Sequence, residues 1–169
     1  MTDTVFIRST VDSRDGTAAC LLTWGPVEAL LTPGKVLATA RDLMAAAAHA
    51  EADIALLGWC TDTLRVDEQT AGRMILDIRG RRPAPPAPAA LRIQAVAGHN
   101  TRRPYVHIYR GSQRGELSPD EARQMAQHWT EAAVAAQIDV RLRYALGEWD
   151  HLTAGDIEQL FALLQKTQR

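Results

Sequence analysis

With 169 residues, 46% hydrophobic and 23% charged, and a formal net charge of −1, the chain has the makeup of a folded globular protein, not a disordered or fibrous one. Cys20 and Cys60 are too few for a disulfide framework and wrongly spaced for zinc. The first ten residues lack a basic, apolar leader, and no run approaches the roughly 20 apolar residues that cross a bilayer, so a reduced, cytoplasmic protein with its own core is expected.

Read in chain order, VFIRST (5–10) alternates as a strand does, DSRDGT offers an Asp-Gly turn, and AACLLTW (18–24) returns as a second strand. Gly25 breaks the chain, and EALL (28–31) gives a short third strand. Thr32 and Pro33 then suit the N-cap and first position of a helix striped by Val36, Ala40, Leu43, Ala46, Ala47 and Ala50. Leu37, Ala38, Ala45 and Ala48 lie behind that stripe, which predicts a second neighbour, either the other half or another chain. Asp53 reads as an Asx-type turn opening a further strand, DIALLGW. Asp67 caps a last helix, with Val66 and Ala71 at the spacing of a hydrophobic staple.

GRRPAPPAPAA (80–90) cannot continue a helix or enter a central strand and reads as a stiff, extended linker. Beyond it the order repeats. LRIQAV (91–96), the turn GHNTRRP, YVHIYR (105–110), Gly111 and RGEL (114–117) stand for the three strands. Ser118, Pro119 and Glu121 form a capping box, Asp120 and Glu121 oppose the helix dipole, and Trp129 takes the place of Leu43. DVRLRYAL (139–146) matches DIALLGW as a strand opened by Asp139, and Thr153 caps the final helix.

A shift of 86 positions, without a gap, aligns Ile7 with Ile93, Gly25 with Gly111, Pro33 with Pro119 and Asp53 with Asp139. The expectation is an α+β fold built by tandem duplication of a β-β-(β)-α-β-α unit in a pseudo-twofold arrangement. Residues 1–79 form the first repeat, 80–90 the linker and 91–169 the second repeat.

Between Ile78 and Gly115 lie eight arginines (Arg79, Arg81, Arg82, Arg92, Arg102, Arg103, Arg110 and Arg114) and no acid. Of 19 bases, that leaves 11 against 20 acids elsewhere. Such a segment, with Tyr105, His107 and Tyr109 on the neighbouring strand, suits a phosphate backbone, an acidic partner, or the acidic first half of the same chain. Trp24, Trp59 and Trp149 have no tryptophan twin; with Leu37 they are candidates for a partner surface or for the contact between repeats. Cys20 reads as a core thiol. The five histidines show no metal-binding spacing, and Glu148, Asp150 and His151 read as a turn before a cap.

The stretch ELSPDEARQMAQHWTEAAVAA (116–136) resembles a phrase of small α+β proteins of high-GC bacteria, L-[ST]-P-x-E-A-R-x-[LM]-A. The resemblance covers about twenty residues, and Gly34 and Lys35 depart from it in the first half. It implies a strand-to-helix joint and a bacterial or phage-borne origin, and attaches no activity. The functional expectation is a non-enzymatic binding or scaffold protein without cofactor, metal or catalytic residues, an internal pseudo-dimer acting through a protein partner or self-association. The alternatives are a nucleic-acid-associated regulator using residues 79–114 and an enzyme with a site between the repeats.

Overall fold

The computed structural model describes residues 5–83, 85, 89–98, 100–149 and 151–167; His99, Asp150 and part of the linker lie outside the described residues. Two antiparallel meanders carry the strands. β1 (Val5–Val11), β2 (Ala18–Trp24) and β3 (Val27–Leu31) form the first, and β4 (Arg92–Ala97), β5 (Pro104–Arg110) and β6 (Gln113–Leu117) the second. Their registers coincide at the 86-residue offset. Ile7 faces Leu22 and Leu22 faces Ala29, as Ile93 faces Ile108 and Ile108 faces Gly115. Gly25 and Gly111 take left-handed backbone in the second turn of each meander, where a side chain would be strained. At the first turn the matching left-handed positions are Gly16 and Arg102.

A long helix follows each meander, α1 (Pro33–Gly58) and α3 (Pro119–Gly147), with proline in the first turn of both. Ser118 Oγ accepts from the Glu121 N–H at 3.3 Å, and Glu121 Oε2 accepts from the Ser118 N–H at 2.7 Å, closing the expected capping box. Thr32 accepts from the Lys35 N–H at 3.4 Å with no acid beside it, so α1 starts less well capped. Ser118→Ala should cost about 1 kcal/mol in urea unfolding at pH 7. Hydrogen bonds from the Ser118 N–H and hydroxyl hold the Glu121 carboxyl below its ordinary value of 4.5. A depressed carboxylate stabilises above its unfolded pKa and loses that effect as pH falls through the lower folded value. The penalty of Ser118→Ala should therefore shrink below pH 4.5.

The strands expected at 53–59 and 139–146 are absent: both stretches are helical. The first completes α1 and enters a π-helical turn at Trp59–Thr63; the second lies wholly in α3. Ala50, Asp53, Leu57 and Cys60 are all buried, so the helical spacing of the first stripe simply continues. Asp53 and Asp139 therefore open no turns. Each half closes with a shorter helix, α2 (Glu68–Gly80) capped by Asp67, or α4 (Ala154–Thr167), preceded by Thr153. The observed order per half is β-β-β-α-α.

The long helices cross between the halves. α1 lies against β4 and β5, α3 lies against β1 and β2, and the two helices pack along each other. Small side chains at Ala40, Ala47, Ala126 and Ala133 permit that approach. One core results, holding Leu22, Trp24 and Leu43 from the first half with Val106, Ile108 and Trp129 from the second. The stripe of α1 is therefore covered by the other half. Of the residues behind it, Ala38 is buried and Leu37, Ala45 and Ala48 are exposed, so the second neighbour expected on that face is not found among the described residues. Cys20 is fully buried, and desolvation pushes its thiol up to about 11, as suits a core residue. A satellite cluster of Leu57, Cys60, Ala71 and Ile75 seats α2.

Candidate functional site

The arginine-rich segment folds largely onto the protein itself. Arg79 Nε reaches Asp53 Oδ2 at 2.7 Å and Arg82 Nη2 reaches Asp53 Oδ1 at 2.5 Å. Arg81 pairs with Asp77 at 2.7 Å in solvent, and Arg102 pairs with Glu68 at 2.8 Å, with Asp62 at 3.7 Å. Those bonds tie the second hairpin to α2; the Arg102 backbone itself is left-handed, as Gly16 is at the matching position, and the turn is closed by the Arg102 N–H donating to the Gly98 carbonyl at 2.8 Å. Arg110 Nη1 donates to the Ala90 carbonyl at 2.6 Å, and Arg92 lies 5.8 Å from the centroid of the Tyr109 ring. Arg103 and Arg114 have no side-chain partner among the described residues. The run of like charge thus meets acids brought from the first half, which is one of the three readings its composition left open.

The other singled-out residues are scattered. Trp24 is buried where the two sheets meet, and its ring approaches Gly115. Leu37 edges a groove between α1 and α3. Trp59 is half exposed in the π-helical turn, and Trp149 stacks on His151 with ring centroids 5.7 Å apart. His107 bonds the Tyr109 hydroxyl at 3.1 Å and Glu116 at 2.9 Å. His49 is held below its ordinary value by burial and by the Arg82 charge. Asp139 is partly buried on α3, and its carboxyl is raised by desolvation against the opposing pull of Arg143 and Ser9. Among the described residues no group of three or more His, Cys, Asp or Glu side chains could hold a metal ion. No helix among them is long and apolar enough to cross a membrane.

Concave surface is concentrated around α3. A groove of about 1060 Å³ runs between edge strand β1 and α4, with Val134 and Ile138 in its floor, Ile7 and Ala162 in its walls, and Arg8 and Lys166 along its lining. Leu142 continues the row one turn beyond the groove, and all three residues of the row are 44–48% exposed. α4 buries Ile157 and Phe161 and leaves Leu160 and Leu163 in solvent. Arg143 holds α4 in place, lying 4.2 Å from the Phe161 ring centroid and bonding Glu158. A second cleft, of about 490 Å³, opens between β1 and β6 with Met125 and Trp129 of α3 beneath it.

The apolar row at Val134, Ile138 and Leu142 is invisible once 139–146 is read as a strand. Its i, i+4, i+8 spacing is the signal that marks an outward helical face. Comparison of the chain with protein-family models, with curated proteins and with solved structures finds no match among any of the three.

Proposed function

We propose that the chain is a non-enzymatic binding protein, built from a duplicated unit, that acts through protein–protein contact at the groove between β1, α3 and α4. The observation that carries this reading is the outward apolar row of Val134, Ile138 and Leu142 on α3, since a soluble helix face normally turns polar residues to solvent. The groove is open along its length, which suits a helical or extended segment more than a small molecule. Arg8 and Lys166 have no partner among the described residues, so the partner segment is amphipathic with acidic flanks.

A photo-crosslinking residue at position 138, compared with one at the exposed position 77, tests this. A defined adduct from position 138 alone is expected, its cross-linked peptide amphipathic and acidic, and lost when Arg8 and Lys166 become glutamate. Identical adducts from both positions, or only a dimer of the chain itself, would remove the proposed partner. The internal pairing of Arg79, Arg81, Arg82 and Arg102 argues against a dedicated phosphate-binding face. Heparin retention is accordingly expected to be weak and insensitive to replacing Arg102 and Arg103 with alanine. Steep salt-dependent retention lost in that double variant would favour nucleic acid instead.

A further inference from the structure

We infer that the occupant of the groove between β1, α3 and α4, where that groove is a protein-contact site as proposed above, is an extended segment that joins β1 edge to edge as a further strand. β1 pairs with β2 on one side only, so the other side of its backbone is a free sheet edge. Such an edge carries peptide N–H and C=O groups that an added strand can bond.

The pairing of β1 is regular from Val5 opposite Trp24 to Val11 opposite Ala18, with no bulge or proline to blunt the edge. β6, by contrast, is a shorter edge strand that holds Gly115 between Arg114 and Glu116. Concave surface follows β1 along residues 5–9. Val5, Phe6 and Ile7 line the cleft toward β6, and Ile7, Arg8 and Ser9 line the groove toward α4.

The helix beneath sets what an added strand would cover. α3 packs against β1 and β2, on the side where the first sheet ends. Ala133 and Ala136 are buried in the core, whereas Val134 and Ile138 floor the groove and stay exposed. The sheet thus runs out before the apolar surface of the helix does. Val134 and Ile138 are one turn apart, about 6 Å along the axis, and side chains on one face of a strand recur at about 7 Å. Two apolar residues with one between them therefore meet both floor positions. The middle residue points the other way, alongside Arg8, which is exposed and has no partner among the described residues. An acid there makes a cross-strand pair. Glu131, the acid among the lining residues, already accepts from the Gln127 amide. The occupant is an apolar–acid–apolar run in extended form. A helix in its place would cover the floor and leave the edge amides of β1 to water.

A synthetic peptide alternating valine with threonine around one central glutamate serves as the probe, beside the same residues reordered for a helical stripe. The alternating peptide is expected to bind the full chain at one site and to slow amide hydrogen exchange along residues 5–9. Methylating its backbone nitrogens at alternate positions should separate two sets. One set, bonded to β1, should weaken binding by at least about tenfold, and the other should leave it unchanged. Lysine in place of the central glutamate should weaken binding by up to about fivefold, the size of one cross-strand ion pair, and Arg8→Glu should recover it. Ile138→Ser should weaken the alternating peptide by about tenfold. Arg8 and Ile138 are solvent-exposed, so neither change threatens the fold. The inference is overturned if the alternating peptide does not bind, if both methylated sets bind alike, or if exchange slows on β4 instead. Tighter binding of the reordered peptide, lost in Ile138→Ser, would remove the strand and keep the groove as a protein site. The groove reading itself falls only with the cross-link at position 138. Slowed exchange at residues 5–9 that rises with protein concentration and needs no peptide would give the edge to a second copy and also overturn the inference.

Discussion

Asp53→Ala is expected to lower the free energy of unfolding by about 3–5 kcal/mol, read as a shift of the urea midpoint. Asp53 is 1% exposed and its carboxylate is bracketed by two guanidiniums, each side chain 22% exposed. Removing it strands two cations in a partly dry site beside His49, where water can reach neither fully. Arg79 Nη2 is already a buried donor without a partner among the described residues, so the site has little slack to absorb the loss. The comparison with Asp77→Ala is diagnostic. That substitution breaks the exposed pair with Arg81 and should cost at most about 1 kcal/mol. A hydrophobic replacement of the whole cluster, Asp53→Leu with Arg79→Met and Arg82→Leu, should recover most of the stability, because no uncompensated charge remains. If Asp53→Ala proves as mild as Asp77→Ala, the latch between α1, the end of α2 and the start of the linker carries no weight.

That latch also marks where sequence reasoning stops. The strands, the turn glycines and the Ser/Thr-Pro helix starts were legible because each is a local rule, written within a few residues and repeated 86 positions later. The stretches 53–59 and 139–146 were misread for two physical reasons. A short apolar run such as IALL fits a buried strand or a buried helix equally well, and RLRY mimics period-two alternation. Asp53 made the error easier, since aspartate is a poor helix interior residue unless something pays for it, and its partners are 26 and 29 residues downstream. The arginine run was visible as composition; that it meets Asp53, Asp62, Glu68 and Asp77 was not. Of the elements that frame the candidate groove, the helix start at Ser118 and the inward place of Trp129 on α3 were foreseen, and Trp129 lies on the buried side of that helix.

Severed at the linker, the halves are expected not to fold as independent monomers. An amphipathic stripe says that a helix is covered but not which sheet covers it, and here each long helix lies across the sheet of the opposite half. A fragment of residues 1–79 would keep the first meander but lose α3, and with it the Trp129, Ala133 and Ala136 side of the core. A fragment of residues 91–169 would lose Val36, Leu43 and Ala47 in the same way. Neither should show a cooperative urea transition at low concentration by circular dichroism. Mixing them should restore one, and any structure in a single fragment should rise with concentration as copies exchange helices. The same shared core makes Trp129→Ala severe in the intact chain. Trp129 is 1% exposed, and its loss should cost about 3–5 kcal/mol in one two-state transition that weakens both sheets together. A biphasic curve in which the first meander keeps its stability, or a fragment that unfolds cooperatively as a dilute monomer, would mean that each helix can close on its own sheet and that the crossing contributes nothing to stability.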